Sequence, residues 1–122
     1  MTAARPQAAA TDRRATVAFV AVALLSAVVL FTPRTPSEQT VPNLDKLVHA
    51  ALFALLAATT WWRFAAHRAA LVAVLVYAAA SEVIQATVVT SRDGDVRDFA
   101  ADAIGAVAGW FLAHRLSARR TS

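Results

Sequence analysis

The sequence predicts an all-α fold, an integral membrane four-helix bundle with both termini in the cytoplasm. Of the 122 residues, 58% are hydrophobic, and the mean hydropathy of +0.52 is high for a soluble globular chain. The charged residues stand in short clusters between long apolar runs, as they do in proteins whose main solvent is lipid. A chain of this length has room for one domain.

The apolar runs divide the chain into a membrane domain and two short polar tails. Residues 1–14 are polar and rich in alanine, and we expect a disordered cytoplasmic tail there. The membrane domain, residues 15–113, contains four spans of about 16 to 21 residues, near the length that crosses the hydrocarbon core of a bilayer. Residues 114–122 form a basic cytoplasmic tail. The expected spans are 15–31, 45–61, 69–89 and 98–113.

Local signals agree with these spans. Span one is apolar on every side, which favours lipid over the interior of a soluble bundle. It also resembles a signal peptide, but no convincing cleavage site follows it, so we interpret it as an uncleaved anchor. Asn43 or Asp45 can cap the start of span two. Trp61 and Trp62 end that span where amphipathic rings usually settle.

The distribution of basic residues predicts the orientation. Eight of the twelve lysine and arginine residues fall in the two tails and in the loop between spans two and three. Because basic loops are retained in the cytoplasm, we expect a multi-pass plasma-membrane protein with both termini inside. These eight residues are Arg5, Arg13, Arg14, Arg63, Arg68, Arg115, Arg119 and Arg120.

In this orientation, the polar residues of spans two, three and four fall near the outer leaflet. Span two contributes Asp45, Lys46 and His49, span three contributes Ser81, Glu82 and Gln85, and span four contributes Asp98 and Asp102, with Arg92 in the preceding loop. A charged group in hydrocarbon costs at least ~2.5–3.5 kcal/mol, so these side chains should face the bundle interior. Lys46 and Arg92 are the nearest basic residues that could neutralise the carboxylates.

Each of these residues also has a structural interpretation. Asp45 and Asp98 can cap helices, Lys46 can extend its ammonium to the interface, and His49 can be a neutral link between helices. Glu82 stands well inside an apolar helix, which favours a functional or network role. Asp102 lies one helical turn farther into span four than Asp98, too deep to cap the helix. Gly105 and Gly109 form a GxxxG pattern that allows a neighbouring helix to approach closely.

Several kinds of chemistry are disfavoured. The basic residues flank apolar spans and form no continuous stripe, so we expect no nucleic-acid partner. The chain has no cysteine. His49, Glu82 and Asp102 would offer a metal one nitrogen and two oxygens, but no HExxH motif is present, and we expect no metal and no other cofactor. A Ser81-based hydrolase lacks a nucleophile elbow.

The polar residues resemble the pattern of the VanZ-like family. Asp45-Lys46-Leu47-Val48-His49 is similar to its DKxxH motif, and Glu82-Val83-Ile84-Gln85 is similar to its ExxQ motif. The run Arg92, Asp98, Asp102, Gly105, Gly109 resembles its R…D…N…G…G run, with Asp102 where the family usually has Asn. The resemblance covers about residues 43–113. It implies a four-helix membrane module from a family named after a protein linked to low-level teicoplanin resistance.

The sequence leads to two functional hypotheses. In the first, the protein binds or modifies an amphiphilic envelope lipid or glycan precursor at the outer leaflet. His49, Glu82, Asp98 and Asp102 are then the catalytic candidates, and Asp45, Lys46, Gln85 and Arg92 the substrate-binding candidates. In the second, it is a non-catalytic accessory or partner-binding subunit whose polar residues hold the helices together. Proton transport is disfavoured because the inner halves of the spans offer no polar relay. The sequence does not decide whether the protein is an enzyme, and a thin bundle is compatible with a homo-oligomer.

Overall fold

The computed structural model is all-helical, as the sequence predicts, and describes residues 6–32, 44–64, 68–88 and 96–121, with side chains from 13 to 119 within those ranges. It contains four helices in these ranges. They are α1 (Pro6–Phe31), α2 (Leu44–Arg63), α3 (Arg68–Thr87) and α4 (Val96–Thr121). They correspond in order to the four predicted spans.

Two helices extend beyond the predicted spans. Helix α1 begins at Pro6, so residues 6–14 are helical where the sequence suggests a disordered tail. Proline suits the first turn of a helix, and the alanines that follow have the highest helix propensity. Helix α4 continues past Ala113 to Thr121 through leucine, alanine and arginine residues, which also favour a helix.

Three helices are long and apolar enough to cross a membrane: α1 from Arg13 onward, α2 and α3. Helix α4 is long enough but has polar residues near both ends. Its exposed side chains nevertheless include Ile104 and Phe111, which are 69% and 58% exposed. Such large apolar surfaces suit contact with lipid, so a fourth span remains our prediction.

The apolar core lies where the helices meet around α2. Phe53 and Ala57 of α2 are completely buried. They pack with a cluster of buried side chains contributed by all four helices, which also includes Leu30, Leu56, Val74, Ala78, Ala106 and Trp110. The most extensive contact in the bundle is between α2 and α4.

Two glycines explain how closely α2 and α4 approach. A Cβ atom added to Gly105 would collide with the backbone of Ala50, and one added to Gly109 would collide with the backbone of Ala54. The GxxxG prediction is therefore confirmed, and its partner is α2. Small residues at this spacing let two backbones pack directly against each other.

Helix α1 is attached more loosely. An apolar groove of about 690 Å³ lies between α1, α2 and α3, bordered by Phe19, Phe31 and Phe64 among others. The hydroxyl groups of Ser26 and Tyr77 are 3.1 Å apart and connect α1 to α3 near the middle of the groove. Phe19 and Phe64 meet edge to face, with ring centroids 5.3 Å apart.

Candidate functional site

The candidate site is a set of three buried polar side chains from three helices. We call His49 of α2, Glu82 of α3 and Asp102 of α4 the polar triad. Their exposed fractions are 1%, 9% and 0%, respectively. One potential ligand atom from each residue lies within 4.8 Å of those of the other two. The structure therefore places together three of the four residues predicted as catalytic.

The shortest contact in the polar triad joins α2 and α4. The Nδ1 atom of His49 lies 2.7 Å from Oδ1 of Asp102. When Asp102 is ionised, the Nδ1–H group donates this hydrogen bond to the carboxylate. The same Nδ1 atom lies 4.0 Å from Oε1 of Glu82, so His49 lies beside both carboxylates.

The fourth catalytic candidate, Asp98, lies one helical turn before Asp102. Its Oδ1 atom is 3.5 Å from Nζ of Lys46, the residue three positions before His49. The contact between Lys46 and Asp98 and the contact between His49 and Asp102 thus form two successive cross-links from α2 to α4. The side chain of Lys46 is 30% exposed, so the first cross-link lies at the rim of the site.

One face of α4 produces both cross-links and the close packing. Asp98, Asp102, Gly105 and Gly109 are spaced by four, three and four residues, which aligns them along one side of a helix. The two glycines contact α2 directly, and this sets the register of α4 on α2. In that register each aspartate meets a cationic or protonatable residue of α2. The spacing in the sequence therefore explains the geometry of the site.

The remaining predicted binding residues have different surroundings. Asp45 lies 4.0 Å from the Lys46 ammonium, in the first turn of α2, where a carboxylate also favours the helix N-terminus. Gln85 is buried, and its amide Nε2 donates to the Leu30 carbonyl of α1 over 2.8 Å. Arg92 lies outside the described residues.

Ser81 is buried and directly precedes Glu82 in α3, but its hydroxyl forms a hydrogen bond within its own helix. It donates to the Ala78 carbonyl over 2.8 Å. Serine and threonine hydroxyls commonly bond a carbonyl of the preceding turn. This geometry gives no support to Ser81 as a nucleophile.

Two interactions near the site were not predicted from the sequence. The sequence pattern identifies no polar partner for Tyr77, yet its hydroxyl contacts that of Ser26. Leu30 gave no signal at all, because its backbone carbonyl is what accepts the Gln85 amide. That carbonyl lies in the last turn of α1, where carbonyl groups have no partner within the helix. A glutamine inside an apolar span is the one sequence feature that indicates a polar partner of this kind.

The triad also contains polar atoms that the described residues leave unsatisfied. His49 Nε2 and Asp102 Oδ2 are buried and have no hydrogen-bond partner within the described ranges. An unsatisfied buried polar atom costs free energy, and in native proteins such atoms often mark a functional site. The arrangement can accept or donate protons, bind a cation, or hydrogen-bond a polar head group.

Comparison with known proteins supports the resemblance to the VanZ-like family. The family model described as VanZ/LLP1 matches residues 5–117, which is most of the chain. No curated protein and no solved structure matches the chain. The match covers α1, α2 and α3 completely and α4 as far as residue 117, and it includes every residue of the polar triad. The chain therefore belongs to the VanZ/LLP1 family.

Proposed function

We propose that this protein binds or modifies an amphiphilic component of the cell envelope at the outer leaflet of the plasma membrane. It would thereby change susceptibility to glycopeptides of the teicoplanin type. The observation that carries the proposal is the buried contact between His49 and Asp102, with Glu82 beside it and Lys46 at the rim. Acidic, basic and cationic groups thus meet at one end of the bundle.

The charge distribution supports an outward-facing site. The triad lies toward the end where α2 and α4 begin, whereas Arg63, Arg68, Arg115 and Arg119 lie near the opposite end. Because basic ends are retained in the cytoplasm, the triad end would face outward and both termini would be inside. An amphiphile diffusing in the outer leaflet would then carry its head group to the depth of Lys46.

The geometry suggests a role for each residue. Lys46 would bind an anionic head group, with Arg92 as a second candidate from the sequence alone, and Asp98 would hold the Lys46 ammonium in position. His49 and Glu82 would act as acid and base or as hydrogen-bonding groups. Asp102 would orient the His49 imidazole by accepting its Nδ1–H. Gln85 would stabilise the site from behind through its bond to α1.

The test is complementation in a host that lacks its own copy of the gene. We expect the wild-type protein to change the teicoplanin concentration that inhibits growth, and His49→Ala and Glu82→Gln to abolish that change. His114→Ala is the matched control, because His114 is an exposed histidine of α4 that packs near Trp61, far along the helix from the triad. Equal effects of wild type, His49→Ala and Glu82→Gln at equal membrane abundance would refute the proposal.

Orientation is a separate part of the proposal and has its own test. The chain has no native cysteine, so single cysteines report their side of the membrane without background. Val96 starts α4 and is 83% exposed, and Leu116 lies near its other end at 50% exposed. A membrane-impermeant maleimide should label Val96→Cys in intact cells. It should label Leu116→Cys only after the cells are permeabilised. The reverse pattern would place the triad at the inner leaflet.

A second candidate function is a non-catalytic accessory subunit. It is favoured by the depth of the His49–Asp102 contact, since a buried polar bond between two membrane helices can fix their packing. Unfolding in detergent distinguishes the two candidates. If Glu82→Gln both unfolds the bundle and abolishes the phenotype, the structural role is supported. If the variant folds normally and loses the phenotype, the site is functional.

A further inference from the structure

We infer that the polar triad is a binding site for a divalent transition-metal cation, with Zn²⁺ as the representative ion. The donors would be the imidazole of His49 and the carboxylates of Glu82 and Asp102, which lie within 4.8 Å of one another. The sequence argues against a metal because it contains no HExxH motif. The fold supplies one ligand from each of three helices instead.

Small side-chain rotations would bring the three donors to distances that suit such an ion. Zinc binds imidazole nitrogen and carboxylate oxygen at ~2.0–2.2 Å, which separates neighbouring donors by about 3 to 4 Å. The separation of 4.0 Å between His49 Nδ1 and Glu82 Oε1 falls at the upper end of this range. The 2.7 Å contact between His49 and Asp102 would lengthen as a rotation of the Asp102 carboxylate exchanges a hydrogen bond for a metal bond.

Burial gives an independent reason for a cation. Asp102 is completely buried, and its Oδ2 atom has no hydrogen-bond partner among the residues described. Removing a carboxylate from water is costly unless it is paired or bound to a metal. Two carboxylates, a neutral imidazole and one divalent cation form a set with no net charge, which suits a membrane interior.

The donor types also restrict the choice of ion. Mg²⁺ and Ca²⁺ prefer oxygen ligands alone, whereas an imidazole with carboxylates suits Zn²⁺, and less strongly Mn²⁺. Three protein ligands leave a coordination position open, as in zinc sites that bind substrate or water. The neighbouring Lys46–Asp98 pair lies at the rim of the site. A head-group oxygen could therefore reach the ion beside an ammonium group.

Metal binding is tested on the whole protein, purified in detergent without a polyhistidine tag and stripped with a chelator. Isothermal titration with Zn²⁺ should show about one ion per chain, and Co²⁺ should give the visible absorption of a protein-bound ion. Relative to wild type, His49→Ala and Glu82→Gln should weaken Zn²⁺ binding at least about tenfold, because each removes a donor. His114→Ala should bind Zn²⁺ as the wild type does.

Asp102→Asn keeps the size of the side chain, so it tests metal binding even if the other variants fold poorly. It should remain monodisperse and still lose Zn²⁺ affinity, since an amide oxygen is a weaker ligand than a carboxylate. Absence of Zn²⁺ binding by the wild type, or equal binding by wild type and all triad variants, would overturn the inference. The titration contains no envelope amphiphile, so its failure is separate from failure of the complementation test.

Discussion

The interface between α2 and α4 and the interface between α1 and α3 are built in opposite ways. Gly105 and Gly109 bring α4 directly onto the α2 backbone, and the same α4 face carries two aspartates to Lys46 and His49. Between α1 and α3, by contrast, a groove of about 690 Å³ separates much of the two helices. There, the Ser26–Tyr77 and Leu30–Gln85 hydrogen bonds make the polar connection.

The difference shows that close backbone packing is what allows a polar site inside this bundle. A buried carboxylate is tolerated when its partner is held at hydrogen-bonding distance, and that requires a fixed register between two helices. Glycine at the α2–α4 contact supplies the register. Helix α1 has no comparable contact with α3, so changes to α1 should affect stability more than they affect the site.

The largest effect is expected from filling the α2–α4 contact. Gly109→Leu would place a side chain where the Ala54 backbone lies, and backbone cannot move aside as a flexible side chain can. We expect a loss of at least about 3 kcal/mol in unfolding free energy, measured by denaturation in mixed micelles. Ala108→Leu, at an exposed neighbouring position, is the control and should unfold as the wild type does. Similar stability of the two variants would contradict the packing account.

An intermediate effect is expected at the connection from α3 to the end of α1. Gln85→Leu removes the amide that satisfies the Leu30 carbonyl and should cost about 1–3 kcal/mol of unfolding free energy. The control is Ile84→Leu, a substitution of similar volume at an exposed position of the same turn. If Gln85 contacts substrate instead of supporting the helix, Gln85→Leu should leave the unfolding transition unchanged while the teicoplanin phenotype disappears.

The smallest effect is expected in the α1–α3 groove. Tyr77→Phe removes one hydroxyl, while Ser26 keeps its bond to the Ala23 carbonyl at 2.7 Å. The loss of a single net hydrogen bond should reduce unfolding free energy by about 0.5–1.5 kcal/mol. The ring remains to pack against Phe53, with centroids 5.7 Å apart in the wild type. Zn²⁺ affinity should not change, and a change would mean that α1 helps to shape the triad.

Much of this architecture follows from the sequence. Apolar run lengths predict the four helices, and the distribution of polar residues predicts that His49, Glu82 and Asp102 share one end of the bundle. The same pattern does not identify the partner of His49, because it places Glu82, Asp98 and Asp102 at the same end of the bundle. The choice of Asp102 depends on the α2–α4 register, which follows from backbone contacts at Gly105 and Gly109.

Other features escape a reading of side-chain patterns altogether. Gln85 donates to a backbone carbonyl. Every residue has such a carbonyl, so the sequence does not indicate which one is the acceptor. The groove depends on how far α1 stands from α3, which hydropathy does not encode. Helix α1 begins at Pro6, in a segment where charge and alanine content suggest a tail but local helix propensity favours a helix.

A double-mutant cycle between His49 and Asp102 tests most directly the claim that α2–α4 packing creates the site. Unfolding free energies of His49→Ala, Asp102→Ala and the double variant give the coupling between the two side chains. We predict a coupling of about 1.5–3 kcal/mol for this pair, and within about 0.5 kcal/mol of zero for His49 with Tyr77 of the groove. A His49–Asp102 coupling near zero, with all variants folded, would contradict the account.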